Sequence, residues 1–207
     1  MSEVDLALRA GRVHSLAGEN GAGKSTLVKI LGGIYQPDSG RILEDGHDIA
    51  IVGAADAMRH GIAVVHQHPA LFPDLSVAEN IFVGRQPRQR GQINWTAMRA
   101  EARALLARLG IEIDAQLPVK MLSIAERHAT EIARALSLET RVLVMDEPTS
   151  AISGREVARL FEIVARLKQE GVAILFVSHF IDEILSWGDD VTILRSGRRI
   201  ITAVARE

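Results

Sequence analysis

The stretch Gly18-Glu19-Asn20-Gly21-Ala22-Gly23-Lys24-Ser25 constrains this chain more than any other. It meets every fixed position of G-x-x-x-x-G-K-[ST], and its surroundings are the ones that pattern requires. An apolar run over 13–17 reads as a strand leading in. Thr26, Leu27, Val28, Ile30 and Leu31 read as an amphipathic helix leading out. Glycines let the backbone curl until successive N–H groups face inward, and the positive end of the helix dipole adds to their pull on an anion. Lys24 would set a cation against the β- and γ-phosphates of a nucleotide, and the Ser25 hydroxyl would be an oxygen ligand for Mg²⁺. The bland alternative is a glycine-rich turn that binds nothing. With Lys24, Lys29, Lys120 and Lys168 as the only lysines, a chance match in this context is disfavoured.

Around that loop the periodicity alternates between strand and helix, which predicts an α/β core. Val4, Leu6 and Leu8 alternate with polar and small residues and predict a short half-buried strand ending at Gly11. Residues 41–43 and 48–51 predict short edge strands around Asp45-Gly46, and 54–60 a helix stopped by Gly61. The unbroken apolar runs 62–65, 142–145 and 172–177 predict strands covered on both faces. A helix over 154–170 and another near 180–185 intervene, and 191–194 with 200–204 predict a closing hairpin around Ser196-Gly197. Over about 69–138 strand signals give way to helical ones. Ser76 and Glu79 have capping-box spacing, Asn94 stands before a helix carrying Met98, Ala102, Leu105, Leu106 and Leu109, and Ser123 opens a helix to about Leu138. The expectation is one domain with a helical insertion.

Asp146 and Glu147 end the buried run 142–145, where a parallel sheet presents ligand groups. One carboxylate can hold a metal shell and its neighbour can contact water, with the cation offsetting their repulsion. The plain alternative is a solvated acidic turn. His179 ends the next strand in the same manner, and Gln67 follows the run 62–65; each says little alone. His66 and His68 stand at i, i+2, but no third ligand is evident and zinc is disfavoured. Arg85, Arg88 and Arg90 read as a solvated basic loop, and Ile81 and Phe82 as packing residues.

Charge excludes some partners. Lys+Arg number 24 against 26 Asp+Glu, so no global field points to nucleic acid or an anionic membrane. Without cysteine there are no disulfides, thiolate metal sites or thiol nucleophiles. No uncharged apolar run approaches the ~18 residues needed to cross a bilayer, and residues 1–5 lack an export pattern. The expectation is a cytoplasmic chain whose membrane role, if any, comes through a partner.

Taken in order, the loop at 18–25, Gln67, Leu122-Ser123-Ile124-Ala125-Glu126, Asp146-Glu147 and His179 resemble an ATP-binding cassette (ABC) transporter ATPase over essentially the whole chain. The 77–85, 131–136 and 146–151 stretches resemble the first cassette of bacterial monosaccharide importers, whose ATPase often carries two. The resemblance implies a P-loop NTPase core with a mainly parallel sheet, short antiparallel edge strands and an inserted helical subdomain. It implies ATP and Mg²⁺ held by Gly18, Glu19, Asn20, Gly21, Ala22, Gly23, Lys24, Ser25 and Thr26, with Ser25, Gln67 and Asp146 around the metal. Glu147 would be the general base, His179 the switch on the γ-phosphate, and Gln67 the sensor facing the membrane partner. Ser123 would contact ATP held by a second cassette, in a homodimer or a tandem copy. The implied partners are integral-membrane permease subunits and, indirectly, a periplasmic sugar-binding protein, with no nucleic acid; the implied place is peripheral, on the cytoplasmic face of the cell membrane.

The chain departs from the family pattern in three respects. No aromatic precedes Gly18 to stack on adenine, and the chain looks truncated at its start. The signature Leu-Ser-Gly-Gly-Gln is replaced at Ile124, Ala125 and Glu126. The tandem importers are more than twice this length. A sugar-import ATPase subunit is therefore the first reading, a nucleotide-binding fragment with little turnover the second, and a cassette ATPase of DNA repair or translation a distant third.

Overall fold

A computed structural model describes residues 1–150 and 152–205. Its centre is a six-stranded sheet in the order β10 (Arg198–Val204), β9 (Asp190–Arg195), β1 (Val13–Gly18), β8 (Ala173–Val177), β7 (Val142–Asp146), β4 (Ile62–Val65). All neighbours run parallel except β10, which turns back along β9. The parallel strands therefore deliver their carboxyl ends to one edge of the sheet. There β1 runs into the glycine loop, β7 into Glu147, β8 into Ser178-His179 and β4 into His66-Gln67. Register pairs Leu16 with Val177, Val177 with Asp146, and Val65 with Met145, so these ends lie level.

Strand alternation sorts the core into two layers. Leu143, Met145, Ile174 and Phe176 face α3 (Val77–Ile81), α4 (Trp95–Arg108), α5 (Ile124–Leu136) and α6 (Gly154–Gln169). Val144, Leu175, Val177 and Leu16 face the other way, onto α1 (Lys24–Leu31) and α2 (Ala54–Arg59). Each fully buried Leu, Ile or Phe contributes about 1.5–3 kcal/mol. Helix α7 (Ile181–Trp187) closes the first layer, with Trp187 tilted against Phe176 at 4.5 Å between ring centroids. Expected caps form: Ser76 accepts from Glu79 N–H, and Asn94 from Ala97 N–H at 3.0 Å.

Several elements differ from the sequence expectation. Residues 4–11 join no strand ladder, although Val4, Leu6 and Leu8 pack partly buried on the second layer. Apolar alternation specifies a half-buried face; it does not supply a hydrogen-bonding neighbour. The hairpin of β2 (Ile42–Glu44) and β3 (His47–Ile49) stands as its own two-stranded sheet, so the antiparallel edge of the main sheet is β10. A second hairpin, β5 (Arg88–Gln89) with β6 (Gln92–Ile93), lies inside the stretch expected to be helical. Its turn sets Arg90 at φ 50° and Gly91 at φ 83°, the paired positive φ of a tight hairpin, without the usual Asn-Gly or Asp-Gly sequence. Arg85 is exposed, as a basic loop residue would be, but it is also tethered: Nη2 donates to Ser137 Oγ at 2.9 Å and to Ile81 O at 3.2 Å. On α6, Phe161 is exposed and leans on Trp187 at 5.3 Å between ring centroids.

Candidate functional site

Helix α1 begins without a cap. Its N-cap is Gly23, at φ 105°, and no side chain accepts from the first turn. The orphan amides of a helix start need a partner, and here the loop leaves them facing a cleft of about 190 Å³ lined by residues 19–26 and Glu147. Gly18 has to be glycine, because a Cβ there would meet Leu194 O at 2.5 Å. The β9–β10 turn braces the loop from behind, where Gly197 N–H donates to Ala22 O at 3.0 Å. Lys24 is 5 % exposed; its Nζ donates to Gly18 O at 2.6 Å and Glu19 O at 3.3 Å, which aims the ammonium at the loop mouth.

Across the cleft the acid pair divides. Asp146 stays in the ladder opposite Val177, while Glu147 swings out at φ 48°, still donating its N–H to Val177 O at 3.0 Å. A left-handed non-glycine residue costs about 1–2 kcal/mol, and such strain gathers at working sites. Once turned out, the Glu147 carboxylate stands 3.9 Å from Lys24 Nζ and 3.4 Å from His179 Nδ1. Burial first, and the charge of Glu147 second, hold the Asp146 carboxyl above its ordinary range, against the pull of His66, Lys24 and Lys29. A cation beside the pair relieves both causes. Gln67 donates from Nε2 to Ser150 Oγ at 2.9 Å, and Ser150 donates to Glu147 O at 3.1 Å. Gln67 thus keeps its amide oxygen to offer a metal. Exposed Ser25 adds a hydroxyl, so this donor set of neutral and anionic oxygens fits Mg²⁺.

The segment carrying Gln67 is gripped from α5. Arg134 Nη1 donates to Ala70 O at 2.9 Å, and Ala70 N–H donates to Glu131 Oε1 at 3.4 Å. Glu131 is 1 % exposed, and burial pushes its carboxyl up to about 7, against the Arg134 guanidinium and the backbone N–H groups of Ala70 and His66. Ser123, by contrast, spends its contacts within its own helix. It accepts from Glu126 N–H at 3.3 Å, while Glu126 accepts from Ser123 N–H at 2.8 Å. It does not line the cleft at the start of α1 among the described residues. A larger cleft of about 350 Å³ lies by Phe82, Leu105 and Arg108, but Glu170 already holds that arginine at 2.6 Å.

The structure therefore brings together the loop residues, Glu147 and His179, joins Gln67 to them through Ser150, and leaves Ser123 apart. A model of the family described as ABC transporter matches residues 1–150. The chain belongs to the ABC transporter family. It is 53% identical over 201 residues to the ribose import ATP-binding protein RbsA 2 of Streptomyces avermitilis, covering 97% of this chain and 40% of that protein. It is 54% identical over 197 residues to RbsA 1 of Rubrobacter xylanophilus, covering 95% of this chain and 40% of that protein. The chain thus spans about two fifths of the length of these relatives. Among solved structures, CbiO1 of Clostridium perfringens, part of an ABC transporter complex, overlays with a TM-score of 0.84 at 29% identity, covering 98% of this chain and 81% of that one. An ATP-binding cassette of an ABC transporter in its ADP conformation gives 0.83 at 25% identity, covering 97% and 83%.

Set beside these ABC proteins, the parallel P-loop core read from the sequence stands. Sequence reasoning missed the turned-out backbone at Glu147 and the linking role of Ser150. A serine in a loop carries no pattern signal, and a positive φ at glutamate has none either. Ala151, at the end of the 146–151 resemblance, lies outside the described residues.

Proposed function

We propose that this chain is the ATP-binding and ATP-hydrolysing cassette of a bacterial importer for a monosaccharide. Ribose is the sugar that the names of its relatives indicate. One observation carries the reading: an uncapped helix start with a buried lysine faces a carboxylate turned out of the sheet at 3.9 Å. The loop from Gly18 to Thr26 grips the phosphates of ATP through backbone N–H groups, and Lys24 neutralises the charge that builds during transfer. Ser25, Gln67 and Asp146 would hold Mg²⁺, which when bound neutralises phosphate charge. Glu147 accepts the proton of the attacking water, a general-base contribution of about 10²–10⁴-fold. His179 contacts the γ-phosphate from the end of β8.

In this reading residues 1–207 form one cassette with a helical subdomain over about 69–138. Ser123 meets ATP on a second cassette, supplied by a homodimer or a tandem copy. Permease subunits bind beside Gln67, and a periplasmic sugar-binding protein acts through them. The chain sits peripherally on the cytoplasmic face of the membrane; among the described residues no helix is long and apolar enough to cross one. Glu147→Gln tests the proposal. Hydrolysis should vanish while Mg-ATP binding by calorimetry persists. Equal, negligible rates in both proteins would instead favour a nucleotide-binding fragment with little turnover.

A further inference from the structure

Two loops must hold still for Glu147 and His179 to stay 3.4 Å apart: the turn after β7 and the segment after β8. One side chain ties them together. Glu183, on the first turns of α7, accepts from Thr149 Oγ1 at 2.9 Å and from Ser178 Oγ at 2.7 Å, both on the same oxygen, Oε2. Thr149 lies two residues beyond Glu147, and Ser178 immediately precedes His179. Thr149 and Ser178 are buried at 6% and 1% exposure, so neither hydroxyl has bulk water as a substitute partner. Ser178 Oγ also accepts from Phe180 N–H at 3.0 Å, which fixes the backbone on the far side of His179. Phe180 in turn lies against the His179 ring at 4.1 Å between centroids.

We infer that Glu183 is a positioning residue for hydrolysis, acting through Thr149 on Glu147 and through Ser178 on His179; the inference rests on the ATPase reading above. A carboxylate suits the place because one of its oxygens can accept two O–H groups at once, and both donors here are hydroxyls. Glu183 touches neither phosphate nor water in this scheme. Its contribution is to keep the base and the histidine in one geometry, and a displacement of ~1 Å at reacting groups can cost about 10²-fold in rate.

The test compares the full chain with its Glu183→Ala and Glu183→Gln variants. Without nucleotide, amide exchange by NMR should quicken at Ser150 and Phe180 together in Glu183→Ala, while amides of β7 and β8 keep their protection. With Mg-ATP, kcat should fall at least about tenfold, with KM and the calorimetric Kd close to those of the parent, while the melting temperature drops by a few degrees because two buried hydroxyls lose their acceptor. Glu183→Gln, whose amide oxygen can still accept from both hydroxyls, should recover most of the rate and the slow exchange. Unchanged exchange at Ser150 and Phe180 would overturn the inference, as would a rate loss matched by lower affinity or not recovered by glutamine. A parent that fails to hydrolyse ATP defeats the ATPase reading instead, and the exchange result still decides whether Glu183 ties the loops.

Discussion

Helix α1 starts at the cleft and α5 starts apart from it, and the two satisfy their first backbone amides in opposite ways. The first turn of α1 has Gly23 as its cap and no side-chain acceptor, so its amides stay available to an anion. The first turn of α5 closes on itself: Ser123 and Glu126 satisfy each other's backbone N–H groups. A glycine cap forgoes only about a few tenths of a kcal/mol of helix stability relative to a good side-chain cap. In the proposed function a triphosphate supplies the missing acceptors, so the penalty disappears when ligand arrives. In α5 the cap leaves one group free, the hydroxyl proton of Ser123, since capping uses only a lone pair of its oxygen. The contrast separates a helix start with several open amides from one that can offer a single hydrogen bond.

The sharpest way to break that contrast is at Lys24. Lys24→Ala should weaken Mg-ATP binding by roughly 2–5 kcal/mol, the cost of losing one partner of a buried charged pair, as read by calorimetry. If affinity is unchanged, the open start of α1 is not a phosphate site. Farther along α5, Glu131→Gln probes how that helix holds the Gln67 segment. The native carboxyl keeps its proton to about 7 against an ordinary 4.5. The folded state therefore binds more protons than the unfolded one across that window, and stability falls as pH rises through it. That loss is on the order of 3 kcal/mol at 1.36 per unit, and denaturant melts at pH 5 and 8 should show it in the parent and not in Glu131→Gln. Ser123→Ala should cost about 1 kcal/mol of stability by removing the cap, while Mg-ATP affinity of the single chain stays put. A fall in that affinity would mean the two helix starts share one ligand. Smallest of all, Glu126→Gln keeps the capping geometry and should shift the melting midpoint by less than about 0.5 kcal/mol equivalent. With the negative charge gone, any self-association promoted by ATP should strengthen, a change sedimentation velocity can read.

How much was legible beforehand follows from the range of each signal. The glycine loop, the capping box at Ser76, the helix start at Ser123 and the buried runs of β7 and β8 are written within a few consecutive residues, and the structure has them where the pattern put them. The alternation of 4–8 was legible as a face but not as an unpaired segment, because pairing depends on what lies alongside. The Arg88–Ile93 hairpin rests on a backbone turn at Arg90-Gly91 whose sequence resembles no common turn signal. Arg85, Ser150, Glu131 and Glu183 gave no warning at all. Each is an ordinary polar residue whose partner sits far away in sequence or whose consequence is burial.

Residue order alone determined that this chain would build a glycine loop between a strand and a helix, with acids and a histidine at later strand ends. Those features depend on local φ, periodicity and donor chemistry, which a short stretch carries by itself. Tertiary structure decided that β4, β7, β8 and β1 lie side by side, level at their carboxyl ends. It also decided that Glu147 turns out of the sheet to stand between Lys24 and His179. The reason is physical: strand order and burial are settled by the packing of two apolar layers against one sheet, a sum over contacts that no window of sequence contains.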